Sequence, residues 1–391
     1  MNATARPLKI VVVAGEESGD QLGADLIDAL RRRTDRAVTV AGVGGDHLAA
    51  RGLQSWFDPH ETALMGLGAV LKKLPRLIAL IRDTAKRAVA EKPDCVLLID
   101  SPDFTHRVAK KIRAADPSIP IVKYIAPSFW AWRPQRAPAM RAYVDHVLTI
   151  LPFEDEAMQR LEGPASTYVG HRLSDYRPLI DVRAAQAART AGDRPCLLLL
   201  PGSRRTEIEM LMRPFGEAVA ELSARLGGLD VALPTLPRIE TMVRDLAKDW
   251  TVRPEIVVGD AEKWRAFSRA DAALAASGTV SLELALARIP TVLSYKADWF
   301  ARKFLMPRIT IWSAALPNII ADSPIVPEFF NEFVHPGLLA RHVERLLTPG
   351  PARQAQLDGF DRVAAAMATA RPSGEIGAEV VLRLAENGRP R

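Results

Sequence analysis

Cysteine is nearly missing: Cys95 and Cys196 are the only two in 391 residues, each in or beside an apolar stretch. No CxxC or zinc-ligand spacing exists, which excludes a disulfide framework and a cysteine-built metal centre and leaves two buried reduced thiols as the expectation. No apolar run approaches the roughly 20 residues of a membrane-spanning helix. The N-terminal residues reach a strand-like Ile10-Val11-Val12-Val13 too soon for the apolar region of a secretion signal, so a cytoplasmic chain is expected. There is no basic arm or block, and the net charge of +6 is shared evenly between the two halves, so nucleic acid is not an expected partner. That mild positive balance suits anionic small substrates or an anionic membrane surface.

What is present reads as an ordinary globular α/β protein, with 48% apolar and 25% charged residues. The length favours two domains. Strand-like runs at Ile10–Ala14, Val38–Val43, Val96–Asp100, Pro120–Ile125, His146–Ile150 and Thr167–Val169 alternate with amphipathic stretches, the rhythm of βαβ units in a doubly wound parallel sheet. The rhythm restarts at Leu197–Leu200 and continues through Leu229–Pro234, Glu255–Val258, Ala272–Ala276 and Thr291–Ser294. Two Rossmann-like domains follow, residues 1–175 and 176–391, with residues 176–195 read as a surface-exposed connection rich in Arg, Ala and Asp.

Two turns in the second half carry anion-binding chemistry. The apolar run Leu197–Leu200 stops at Pro201-Gly202-Ser203-Arg204-Arg205, where Ser203 is the expected helix N-cap and two guanidiniums stand beside a positive helix end. Ala272–Ala276 leads similarly to Ser277-Gly278-Thr279, with Glu283 one helical turn further on and placed to accept from ribose hydroxyls. Together they suggest a diphosphate cradle; taken singly, each is an ordinary strand-to-helix turn with solvated charges. The sequence lacks the Asp-x-Asp cluster typical of metal-bridged sugar nucleotides, so no metal and no cofactor are expected.

The first half carries acids at strand ends, where open α/β sheets bind ligands. Ala14-Gly15-Glu16-Glu17-Ser18-Gly19-Asp20 is not GxGxxG, which disfavours a dinucleotide-binding dehydrogenase and leaves Glu16 as a substrate contact or a turn-stabilising carboxylate. Asp100, delivered by the buried run Val96–Ile99, is stripped of water, which suits it to accept a proton; Asp103 competes, and either acid can simply cap the next helix. Phe129-Trp130-Ala131-Trp132-Arg133 is either a buried plug or a wall for a sugar ring or acyl group, with Arg133 stacking there or meeting phosphate. Leu64–Arg82 sets Leu67, Val70, Leu71, Leu74, Leu77, Ile78 and Ile81 at helical spacing, with Lys72, Lys73 and Arg76 off that face. It is either a buried domain helix, with Pro75 threatening a break, or an interfacial helix whose cations meet anionic headgroups.

Taken with Pro102-Asp103-Phe104 and Leu316-Pro317-Asn318, these motifs make the chain resemble the lipid-A-disaccharide synthases, inverting glycosyltransferases of the two-Rossmann-domain type called GT-B. The resemblance implies transfer of 2,3-diacylglucosamine from its UDP conjugate to 2,3-diacylglucosamine 1-phosphate, giving the β-1,6-linked disaccharide and UDP. It implies that Asp100 and Glu16 are catalytic acids and that Arg204 and Asn318 are essential polar groups. Ser203, Arg204, Ser277, Gly278, Thr279, Glu283 and Asn318 then line the nucleotide-sugar side, and Trp130, Trp132 and Arg133 the acceptor or acyl side. It further implies a peripheral position at the inner face of the inner membrane, and a homodimer that swaps segments after about residue 350. Two other classes fit parts of the pattern: a GT-B-like UDP-sugar epimerase, and a noncatalytic nucleotide-sugar-binding protein at a membrane surface.

Overall fold

The computed structural model describes residues 6–62, 67–189, 194–299, 302–303 and 306–388, with side chains 62–73 excepted. The chain divides into two units: Met1–Arg172 with Thr369–Arg391, and Leu173–Ala368.

The first unit holds strands β1 (Leu8–Ala14), β2 (Val38–Val43), β3 (Cys95–Ile99), β4 (Ile121–Tyr124), β5 (His146–Thr149) and β6 (Ala165–Tyr168). They form one parallel sheet in the order β2-β1-β3-β4-β5-β6. A strand covered on both faces reads as a continuous apolar run, and β1 does so from Ile10 onward: Val11 and Val13 enter one core while Ile10, Val12 and Ala14 enter the other. The second core is completed from far along the chain. Helix Ser373–Asn387 returns to lie against helix Glu17–Arg33, bringing Ala378, Val380, Val381 and Leu384 beneath Leu26, Ile27 and Leu30. Gly374 permits this approach, since a Cβ there would stand 3.0 Å from the Asp25 carbonyl oxygen. Arg32 and Arg33 both donate to the Glu375 carboxylate, at 2.7 and 2.8 Å, and hold it below the usual carboxylate range.

The second unit repeats the plan with β7 (Cys196–Leu200), β8 (Asp230–Thr235), β9 (Glu255–Val258), β10 (Ala272–Ala276), β11 (Thr291–Tyr295) and β12 (Glu328–Phe330), ordered β12-β11-β10-β7-β8-β9. The stretch read as an exposed connection is instead a helix, Arg177–Ala188, with Leu179 and Val182 buried. Polar side chains dock it: Gln186 donates to the carbonyls of Phe267 and Ala270, and Arg183 to that of Leu286. Both cysteines are free thiols, Cys95 buried and Cys196 only half-buried.

Residues 64–66 of the amphipathic stretch lie outside the described set. From Leu67 to Ala90 the backbone is one helix running through Pro75. Its later apolar residues, Leu77, Leu80, Ile81, Ala85 and Ala88, belong to the first core, while Ile78 is 53% exposed. Arg76 is engaged by both Glu61 oxygens, at 2.8 and 3.1 Å. No helix among the described residues is long and apolar enough to cross a membrane.

Candidate active site

In the first unit the register of the sheet brings the two acids together. Ala14 of β1 pairs with Ile99 of β3, so Glu16 and Asp100 leave adjacent strands at the same edge. Asp100 and Ser101 take φ of +48° and +40°, and Ile125, just past β4, takes +65°. Left-handed backbone at three non-glycine residues costs on the order of 1–3 kcal/mol each and persists only where the surroundings enforce it. Here they do. The Ser101 N–H donates to Asp100 Oδ1 at 2.8 Å, and the Thr105 hydroxyl bonds the carbonyls of Asp100 and Ser101 at 2.8 and 3.0 Å. Glu16 is the N-cap residue of its helix yet makes no side-chain capping bond, so its carboxylate is not spent on the helix end. Loss of water and then the charge of Asp100 raise its pKa, against a hydrogen bond from Ser101 and the charge of Lys123. Asp103 points away into solvent, its side chain 89% exposed.

The aromatic segment divides by function. Phe129 is fully buried. Trp130 meets Phe153 edge-on at 5.0 Å and donates from Nε1 to Glu154 at 3.0 Å. Glu154 is itself buried, accepts from the Ile150 and Leu151 N–H groups, and is pushed up to about 7 by that burial. Trp130 is therefore pinned in the packing. Trp132 remains partly exposed, with the Arg133 guanidinium stacked 4.1 Å from its ring and Arg136 at 5.3 Å, a cationic aromatic surface.

In the second unit the residues following β7, β8, β9 and β10 enclose a cavity of about 570 Å³, within the range of small-molecule sites. It brings together Ser203, Arg204, Ser277, Gly278, Thr279 and Glu283. Ser203 is not the helix cap; helix Arg205–Leu226 takes Arg204 as its N-cap. Glu207, one turn inside, reaches back to the Ser203 and Arg204 N–H groups at 3.2 and 3.3 Å and binds the Arg204 guanidinium at 2.8 Å. Gly202, at φ +112°, leaves room for it, since a Cβ there would stand 2.5 Å from Glu207 Oε2. Glu283 is not simply solvated either: it pairs at 2.7 Å with Lys263, another lining residue. Asn318, expected at the nucleotide sugar, does not line this cavity. It is 1% exposed, donates to Ser313 Oγ, the Val326 carbonyl and Glu328, and accepts from the Val326 N–H, so it braces the loop between its own helix and β12.

Sequence reasoning missed Glu207, Lys263 and Lys123. Glu207 had a legible signal, an acid three residues after the cap. Lys123 had one too, a lysine inside a short strand otherwise apolar on both faces. Lys263 had none.

Comparison with known proteins adds what geometry alone does not. Solved structures with the same two-domain GT-B plan include the S. aureus MnaA–UDP co-structure (TM-score 0.59, 15% identity, covering 96% of this chain and 95% of that one). Another is Acinetobacter baumannii MurG (TM-score 0.57, 15% identity, 97% and 100% covered). At such identities they establish the fold. A protein from Rhodopseudomonas palustris (strain HaA2) named lipid-A-disaccharide synthase is 45% identical over 390 residues, 98% of each chain. One of the same name from Nitrobacter winogradskyi is 45% identical over 395 residues, covering 100% of this chain and 99% of its own. The family model described as lipid-A-disaccharide synthetase matches residues 10–371, spanning both sheets and every motif at their edges, and the chain belongs to that family.

Proposed function

We propose that this glycosyltransferase joins its two sugars by a direct inverting displacement with Asp100 as the base. The acceptor is 2,3-diacylglucosamine 1-phosphate and the donor UDP-2,3-diacylglucosamine. The acceptor hydroxyl oxygen forms its bond to the anomeric carbon as the carbon–oxygen bond to UDP breaks, and the hydroxyl proton passes to Asp100. The observation that carries this reading is the enforced left-handed turn at Asp100, which sets its carboxylate beside Glu16 at the sheet edge. The second-unit cavity supports UDP binding there, with Ser277, Gly278 and Thr279 near the phosphates, Glu283 at the ribose and Arg204 facing the leaving charge. Trp132 and Arg133 supply the acceptor-side surface, Trp130 supporting them from the packing.

An epimerase needs no acceptor, and a binding protein releases no UDP. Purified enzyme with donor alone is therefore expected to liberate almost no UDP, and adding acceptor to yield UDP and disaccharide in equal amounts. UDP release or a changed sugar without acceptor would overturn the reading.

The reading includes a cytoplasmic enzyme peripheral to the inner membrane. Because Leu77, Leu80, Ile81, Ala85 and Ala88 of the helix Leu67–Ala90 are committed to the core, an interfacial contact belongs to its first turns and the nearby cations. Replacing Lys72, Lys73 and Arg76 together by Glu is expected to weaken sedimentation with anionic vesicles at low salt while sparing activity on detergent-dispersed substrate. Unchanged sedimentation of the folded variant would rule these charges out. A swapped homodimer is part of the same reading: the seat that helix Ser373–Asn387 occupies on Glu17–Arg33 would equally accept a partner's copy.

A further inference from the structure

Lys123 is wholly buried in β4 and points to the same side of the sheet as Ile121, Val96 and Leu98, where another aliphatic chain would complete the core without desolvating a charge. Its Nζ instead donates to the main-chain carbonyl of Asp100 and, at 3.1 Å, to Thr105 Oγ1. Thr105 passes the contact on, to the carbonyls of both left-handed residues. Asp100 is thus gripped from below by an ammonium and a hydroxyl, from the side by its own bond to the Tyr124 carbonyl at 3.1 Å, and through its carboxylate by the Ser101 N–H. The surroundings that enforce the strained turn converge on this one buried lysine.

We propose that Lys123 is a positioning residue for the transfer reaction: it holds the Asp100–Ser101 turn in its left-handed form and sets a buried positive charge beneath the carboxylates of Asp100 and Glu16. The inference rests on the reading of Asp100 as the base. Lys123 touches no substrate and exchanges no proton with one. The charged and titratable groups around it are Glu16 beyond β1, Asp100 beyond β3, and His106 on helix Pro102–Ala115. Burial lowers the lysine to about 7 even though both acids pull it upward. Below that pH the ammonium is charged, and its charge pulls the raised pKa of Glu16 back down.

The test compares Lys123→Met, which keeps an unbranched chain of similar volume, Lys123→Gln, which keeps a neutral donor, and Asp100→Asn, each checked for folding by thermal melting. For Lys123→Met the expected result is a fall in kcat of roughly 10²-fold, the usual cost of a misplaced catalytic group, with KM for both substrates changed less than about threefold. The acid limb of its kcat/KM profile is expected to move to higher pH, because removing the cation takes away the charge that lowers Glu16. Lys123→Gln is expected to recover part of the kcat but not the position of the limb. Wild-type kcat in Lys123→Met, or a lowered kcat with an unmoved limb, beside an inactive Asp100→Asn, would overturn the role of Lys123 alone. Normal turnover in Asp100→Asn would overturn the base assignment and this proposal with it.

Discussion

Asp100→Asn is expected to lower turnover by at least about 10²-fold, the usual contribution of a general base, while the protein melts normally. The substitution is clean because asparagine keeps the side-chain oxygen that accepts the Ser101 N–H at 2.8 Å, so the left-handed turn retains its local tie. What disappears is the capacity to take a proton from the attacking hydroxyl. Donor affinity is expected to survive, since the nucleotide-side residues all lie in the other unit. The rival acids differ: Asp103 stands in solvent, 4.0 Å from Arg136, and Glu16 is the neighbour raised by the charge of Asp100. Near-normal turnover in a folded Asn variant would transfer the role to one of them.

Arg204→Lys is expected to lose most activity, on the order of 10²-fold or more in kcat, the range found when a donor to developing negative charge is removed. One edge of the Arg204 guanidinium is already bound by Glu207 at 2.8 Å, and the planar group keeps further N–H donors for the departing diphosphate. A lysine is a single point of charge that must choose between Glu207 and phosphate. Turnover of the unmodified enzyme is expected to persist in excess chelator, with fixed cations balancing the leaving charge. A Lys variant with normal kcat, or chelator-abolished turnover that magnesium restores, would sink this assignment.

The fold was legible because a parallel sheet buried on both faces writes itself as short continuous apolar runs, and Leu197–Leu200 or Val96–Ile99 allow no other comfortable reading. The cavity was legible for a related reason: tight turns from a buried strand into a helix favour small residues, and Gly202 and Ser277-Gly278-Thr279, at two such turns, line it. Helix Arg177–Ala188 was not, because it docks through Gln186 and Arg183 to main-chain carbonyls, and polar docking leaves no apolar stripe to count. Ser203 was taken for the cap by residue type, whereas Glu207 reaching back sets the helix start one residue later. The different settings of Asp100, at a left-handed turn, and Asp103, in solvent, follow from backbone angles that no residue type advertises. Asn318 looked like a ligand contact from its motif, yet its bonds on both amide atoms are spent on its own loop.

The return of helix Ser373–Asn387 to the first unit also sets the order of events on the ribosome. Leu26, Ile27 and Leu30 are synthesised early, but the residues that cover them belong to the last turns of the chain, after the whole of the second unit. At cellular elongation rates the nascent first sheet waits roughly 10–40 s with one face only partly covered, while the second unit can close as it emerges. The usual N-terminal-first sequence is reversed, and the exposed face during that interval is where a chaperone would find its hold.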